Sequence, residues 1–235
     1  MNIVKHIAGS TLYGTNTPES DLDERGIYVN LSKPVLYGFE KDESVVKQSD
    51  ELDIALFELR KWFHLLKKTN TNSIETLFCP PEFITENSEV FQMIQGHRSS
   101  FIDTRQLLKS LTGYMHSEFN LAIAKRTGKL GGKRKETIEK YGYSYKNLTH
   151  MKRLLYCAQE FFETGVFPIN LKETPIFDEI MQMKTQPELL NLAEATKIGE
   201  DCILKMSQVK ETFHSEFSVP LACDILDEVY MKELT

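Results

Sequence analysis

The chain has 235 residues, 41% hydrophobic and 26% charged, a globular composition with room for one large domain or two small ones. No run approaches the roughly 18 apolar residues of a membrane span, and Met1-Asn2-Ile3-Val4-Lys5-His6 lacks the apolar core of a signal peptide. A cytoplasmic protein with no membrane partner is expected, and a net charge of −6 excludes one that coats nucleic acid with its whole surface.

Residues 3–8 read as a first strand, followed at 10–14 by a short helical turn with Ser10 as its N-cap. A polar loop leads to a second strand over 22–29. Short strands are predicted at 35–39 and 45–47, forming a hairpin, and at 51–55. Helical periodicity then takes over, with Leu56, Leu59, Phe63 and Leu66 on one face. Further helices are predicted at 73–78, 89–96, 103–125, 144–164, 175–184, 187–213 and 222–233. The interval 127–135 is basic and glycine-rich and reads as a loop. Strands come first and helices after, which predicts an α+β sheet domain over 1–98 and a helical domain over 99–235.

The segment with the most chemistry is Gly9-Ser10-Thr11-Leu12-Tyr13-Gly14, followed by Ser20-Asp21-Leu22-Asp23-Glu24-Arg25-Gly26. Side chains at i and i+2 of a strand share a face, so Asp21 and Asp23 aim two carboxylates at one point. Glu24 points the other way. Such a pair suits Mg²⁺, which takes one or two carboxylates together with substrate phosphates. Gly9 permits close approach of backbone to a phosphate, and Ser10 can donate a hydrogen bond to it. Arg25 either faces the same pocket or forms an ion pair that orients Asp23.

Lys146, His150 and Arg153 stand at i, i+4 and i+7 on one helix face, opposite Leu148, Met151 and Leu155. The stretch 120–155 holds ten Lys and Arg against two acids, a surplus of +8 beside −14 for the remainder. Gly128-Lys129-Leu130-Gly131-Gly132-Lys133-Arg134 lacks the Ser or Thr of a Walker loop. Lys129, Lys133, Arg134 and Lys135 either contact nucleic acid or triphosphate or belong to a solvated loop. Tyr141 and Tyr143 could stack a base or pack at a helix entry. Cys79, Cys157, Cys202 and Cys223 form no Cys-x-x-Cys pair, which argues for buried free thiols and against zinc. Trp62 is expected in the core, and His6 receives no role.

The Gly-Ser…Asp-x-Asp order resembles the signature of the DNA polymerase beta-like nucleotidyltransferase superfamily. The longer string Gly-Ser-x-x-Tyr-Gly…Ser-Asp-x-Asp-x-Arg-Gly resembles a branch of predicted bacterial and phage nucleotidyltransferases, some linked to RNA repair. Asp53-Ile54-Ala55-Leu56-Phe57-Glu58-Leu59-Arg60-Lys61 resembles that branch's third-carboxylate strand. Ile74-Glu75-Thr76-Leu77-Phe78 and Tyr141-Gly142-Tyr143…Lys146…His150…Arg153-Leu154-Leu155 resemble later segments. Thr71 departs from a usual Pro.

The resemblance implies a polymerase beta-like nucleotidyltransferase sheet with helices, then a helical C-terminal domain completing a cleft. It implies catalysis with two Mg²⁺ ions, or Mn²⁺, held by Asp21, Asp23 and Asp53. Asp50 and Glu51 are rivals to Asp53. It further implies that Gly9 and Ser10 bind the β- and γ-phosphates of an NTP, with Arg25, Lys146, His150 and Arg153 also on the nucleotide. The expected reaction moves an NMP from an NTP to a hydroxyl, most plausibly of an RNA or DNA end. Side-chain AMP transfer to a protein and an inactive nucleic-acid-binding module are the alternatives.

Overall fold

The computed structural model describes residues 1–41, 45–48, 52–124 and 132–234. Its contacts divide the chain into two units, Met1–Gln106 with His214–Thr235, and Leu107–Phe213. The architecture is α+β, and the described strands form one five-stranded sheet in the first unit.

Strand β1 (Asn2–Ala8) buries Val4, His6 and Ala8 on one face. A four-residue turn of helix, α1 (Gly9–Leu12), follows without a break. Strand β2 (Leu22–Tyr28) returns antiparallel to β1, with His6 opposite Arg25 and Ala8 opposite Asp23. The segment predicted as a strand at 35–39 is instead helix α2 (Lys33–Leu36) and the turn after it. Pro34 explains this: early in a helix its missing N–H leaves no bond unmade, and its fixed φ is already helical.

Strand β3 (Val45–Gln48) pairs antiparallel with β4 (Leu52–Glu58), so the predicted hairpin with 35–39 does not form. β4 lies parallel to β2 and runs three residues further than the predicted 51–55. Leu56 therefore belongs to the strand, and its fit to the helical period is coincidental. Helix α3 (Leu59–Lys67) begins where the Glu58 carboxylate accepts the Arg60 and Lys61 amides. Helix α4 (Thr71–Leu77) starts in the same way at Asn70, with Thr71 in its first turn.

Strand β5 (Ile84–Asn87) was not predicted. Its one strongly apolar residue gives no alternation, and its backbone is ordered by pairing with β1. The Glu86 carboxylate adds contacts to Lys5 at 2.6 Å and Asn2 at 2.8 Å. The sheet order is β3-β4-β2-β1-β5. Helix α5 (Glu89–Gly96), capped by Ser88, then precedes the long α6 (Thr104–Ala122).

In the second unit, helix α7 (Gly132–Tyr141) occupies part of the predicted 127–135 loop. Ser144 caps α8 (Tyr145–Thr164), and Gly165 ends it in a left-handed conformation. Helix α9 (Phe177–Thr185) packs on α8, as does α10 (Leu192–Gln208). α10 starts five residues later than predicted because Asn191 and Glu194 form a reciprocal capping box. A Cβ at Gly199 would lie 2.5 Å from the Phe119 ring, so only glycine permits this approach.

Helix α11 (Val219–Leu234) groups with the sheet, whereas the sequence boundary at 98 placed it in the helical domain. Phe63, Phe101 and Phe217 stack in the first unit's core, and Trp62 is buried there as expected. No helix among the described residues is long and apolar enough to cross a membrane.

Candidate active site

The parallel pairing of β2 and β4 puts Asp23 directly beside Asp53. In-register neighbours share a face, so both carboxylates leave the sheet on the same side. Asp21 stands two residues before Asp23, at the entry to β2. Ile7 lies opposite Glu24, and Glu24 acts on Lys5; Glu24 is therefore on the other face, as expected. Asp50 and Glu51 lie outside the described residues.

Gly9 adjoins the carboxylates directly. Its φ is +60°, and a Cβ there would meet Asp23 Oδ2 at 1.8 Å and the carboxyl carbon at 2.7 Å. The position needs glycine twice, for backbone conformation and for room. Helix α1 starts at Gly9, and its cap position is Ala8 with no side-chain cap. Ser10 is therefore not the N-cap; it lies inside the turn.

Behind the carboxylates lies a buried ionic group. Arg25, two residues beyond Asp23, meets Glu75 of α4 at 2.5 Å. Glu75 is only 4% exposed and also accepts the Tyr13 hydroxyl at 2.8 Å. The ion-pair partner of Arg25 is thus Glu75, while its charge still acts on Asp23. Burial pushes the Asp23 carboxyl upward, Arg25 pulls it down, and Asp53, Asp21 and Glu75 push it up again.

Mutual repulsion among Asp21, Asp23 and Asp53 is what a hard divalent cation would relieve, and carboxylate oxygens are its preferred donors. The donor chemistry fits Mg²⁺. Among the described residues no three or more His, Cys, Asp or Glu side chains stand close enough together to hold a metal ion, so Asp21, Asp23 and Asp53 are not gathered into a ligand set here.

The basic stripe belongs to the second unit. Lys146, His150 and Arg153 all lie on α8, while Leu148, Met151 and Leu155 are buried. His150 Nδ1 is 3.1 Å from the Glu118 carboxylate of α6, which also accepts Asn147 Nδ2 at 2.8 Å. The edge of the Tyr114 ring meets His150 with centroids 5.0 Å apart. Lys146 and Arg153 both act on Lys184 of α9.

Lys129 lies outside the described residues, as do the side chains of Lys133 and Arg134. Lys135 is exposed and stands 3.7 Å from Glu139. Tyr143 packs: it is fully buried and donates to the Pro187 carbonyl at 2.8 Å. Cys79, Cys157 and Cys202 are buried thiols, whereas Cys223 is exposed.

Sequence reasoning gave no individual role to Glu75, Glu118, Lys184 or His6. Glu75 had a signal, an acid inside the apolar run Ile74–Phe78. Glu118 also had one, since Leu111, Met115, Glu118 and Ala122 share a buried helical stripe.

A family model described as the RNA repair pathway DNA polymerase beta family matches residues 3–220. An uncharacterized 38.9 kDa protein from the nrdC-mobD intergenic region of Enterobacteria phage T4 is 32% identical over 126 residues. That match covers 49% of this chain and 37% of the phage protein, so the chain spans little more than a third of that relative's length. A nucleotidyltransferase-like protein from Exiguobacterium sibiricum, 14% identical, aligns over 98% of this chain and 74% of its own with a TM-score of 0.32. The Gly9, Asp23 and Asp53 arrangement stands inside the matched span, and the chain belongs to the RNA repair pathway DNA polymerase beta family, a polymerase beta-like nucleotidyltransferase family.

Proposed function

We propose that the protein transfers a nucleoside monophosphate from an NTP to a hydroxyl on an RNA or DNA end, releasing pyrophosphate, with Mg²⁺ as cofactor. The carrying observation is the parallel register that sets Asp23 beside Asp53, with Gly9 packed against the Asp23 carboxylate. Membership of an RNA repair polymerase beta family favours a nucleic-acid acceptor over a protein side chain.

In this reading the acceptor oxygen attacks the α-phosphorus, and the bond to the β-bridging oxygen breaks with pyrophosphate as leaving group. Asp53 would take the hydroxyl proton; Asp21 and Asp23 would hold the metal ions, with Asp53 sharing one of them. Bound Mg²⁺, or Mn²⁺, supplies charge neutralisation at the triphosphate and at the attacking and leaving oxygens. The Gly9 backbone and the Ser10 hydroxyl receive the β- and γ-phosphates. Arg25, held by Glu75, contributes a fixed positive field beside the carboxylates. Lys146, His150 and Arg153 meet the nucleotide, and Lys129, Lys133, Arg134 and Lys135 meet the acceptor.

The test is incorporation of α-labelled ATP, GTP, CTP and UTP with Mg²⁺ into RNA and DNA oligomers and into the protein itself. Asp21→Asn and Asp23→Asn should abolish label on oligomers while circular dichroism stays native. Transfer at wild-type rates by either folded variant would refute the carboxylate assignment. Label on protein alone would move the acceptor to a side chain.

A further inference from the structure

We propose that Glu75 and Tyr13 are positioning residues that fix the Gly9-Ser10 turn against the carboxylate strand, and so set the affinity of the site for a triphosphate. The proposal rests on the reading that this turn receives the β- and γ-phosphates, and it deepens that reading with two residues that touch no substrate.

Contacts within the first unit close a circuit around the turn. The Tyr13 amide closes α1 onto the Gly9 carbonyl at 3.4 Å. The hydroxyl of the same residue donates to Glu75 Oε1 at 2.8 Å. Glu75 Oε2 accepts the Arg25 guanidinium at 2.5 Å. Arg25 stands two residues beyond Asp23 on one face of β2, and Gly9 packs against the Asp23 carboxylate. The circuit thus runs from the turn through α4 to β2 and back to the turn.

Tyr13 is 1% exposed and Glu75 4%, so both arms are held by packing. Each Glu75 oxygen takes a different arm, and the carboxylate cannot move towards one without straining the other. α4 has its own attachments to the sheet: the Thr76 hydroxyl meets His6 of β1 at 2.9 Å, and Ile74 and Leu77 are fully buried. A buried ion pair adds little net stability over apolar side chains of the same volume, because desolvation offsets the attraction. Apolar side chains would lack direction, whereas hydrogen bonds fix the distance and angle at which the turn meets β2. A triphosphate held at one end by the turn and at the other beside the carboxylates needs that spacing, since a misplacement of about 1 Å is costly at such a site.

Calorimetric titration of the full chain with inorganic tripolyphosphate in Mg²⁺ probes the turn without a base. Tyr13→Phe keeps the aromatic ring and removes only the hydroxyl. It should weaken tripolyphosphate roughly fivefold, within the range for residues that act on a site without touching its ligand. Glu75→Gln should weaken it at least as much, because both arms meet there. Thr76→Val loosens the same helix outside the circuit and should leave the affinity unchanged. Ser10→Ala removes a proposed phosphate contact directly and tests the underlying reading. Thermal unfolding identifies any variant that fails to fold; if Glu75→Gln does, Tyr13→Phe carries the test. Wild-type affinity in folded Tyr13→Phe, with weakened binding in Ser10→Ala, would overturn the proposal and leave the phosphate reading standing. An equal loss in Thr76→Val would also overturn it, because any loosening of α4 would then suffice. Wild-type affinity in Ser10→Ala and Tyr13→Phe alike, or no binding by the wild type, would overturn both.

Discussion

His6 shows how one buried side chain couples the sheet to proton concentration. It lies on the inward face of β1, fully buried, with Nδ1 2.8 Å from the Ile7 carbonyl and Nε2 2.9 Å from the Thr76 hydroxyl. A carbonyl only accepts, so Nδ1 carries the proton. Burial, the largest cause, lowers the ring to about 4, and Arg25 also disfavours a second charge. The unfolded chain, with a value near 6.5, binds a proton that the native state refuses between those two values. Stability must therefore fall as pH drops through this window. Between pH 7 and pH 4.5 the contribution is roughly 2 kcal/mol by linkage. Urea unfolding of wild type and His6→Gln at both pH values measures it: the variant should lose about 2 kcal/mol less than wild type. Parallel losses would mean that His6 titrates alike in both states.

At the scale of elements, the junction of β4 and α3 carries the strand of Asp53 and receives the C-terminal helix. Glu58 is 2% exposed and accepts the Arg60 and Lys61 amides, the Arg60 guanidinium and the Tyr230 hydroxyl of α11. The Arg60 guanidinium also lies over the Tyr230 ring, 5.6 Å from its centroid. Tyr230→Phe removes one donor from a buried carboxylate that keeps its others. A loss of about 1.5 kcal/mol is expected, the low end for a hydrogen bond to a charged group. The denaturant midpoint should fall with an unchanged slope, and an unchanged midpoint would show that α11 docks through its apolar face alone. This junction was half legible in the sequence. The alternation of β1 and β2 and the period beginning at Leu59 are written in apolar spacing; Asp21 and Asp23 follow from strand parity, whereas Asp53 is named only through the family resemblance. The β4–α3 boundary depends on a carboxylate cap, which periodicity does not record, so Leu56 was read as helical. β5 depends on backbone pairing, and the return of α11 to the sheet depends on contacts more than 150 residues apart. Neither leaves a local pattern. The buried partners Glu75 and Glu118 were visible as acids on apolar stripes, yet an acid alone does not name the cation it meets.

For the molecule as a whole, the division of charge matters more than its total. A body of net charge −6 concentrates a surplus of +8 in 120–155, so any polyanion is drawn to one region and repelled elsewhere. Lys135, exposed and 3.7 Å from Glu139, pays little for that neighbour, since exposed pairs contribute about 0–1 kcal/mol. Its charge remains available to a phosphate. If Lys133, Arg134 and Lys135 each neutralise one phosphate of a single-stranded acceptor, binding releases three counterions. Replacing all three with Ala should then reduce the slope of log affinity against log salt by about 2, at roughly 0.7 per phosphate. Affinity should fall most at low salt, where screening is weakest. Fluorescence anisotropy of a labelled RNA oligomer, titrated at several salt concentrations with wild type and the triple variant, reads both quantities. NTP affinity, measured alongside, should stay constant, because these three residues serve the acceptor in this reading. An unchanged salt slope would remove them from the acceptor path, and a parallel loss of NTP affinity would assign them to the triphosphate.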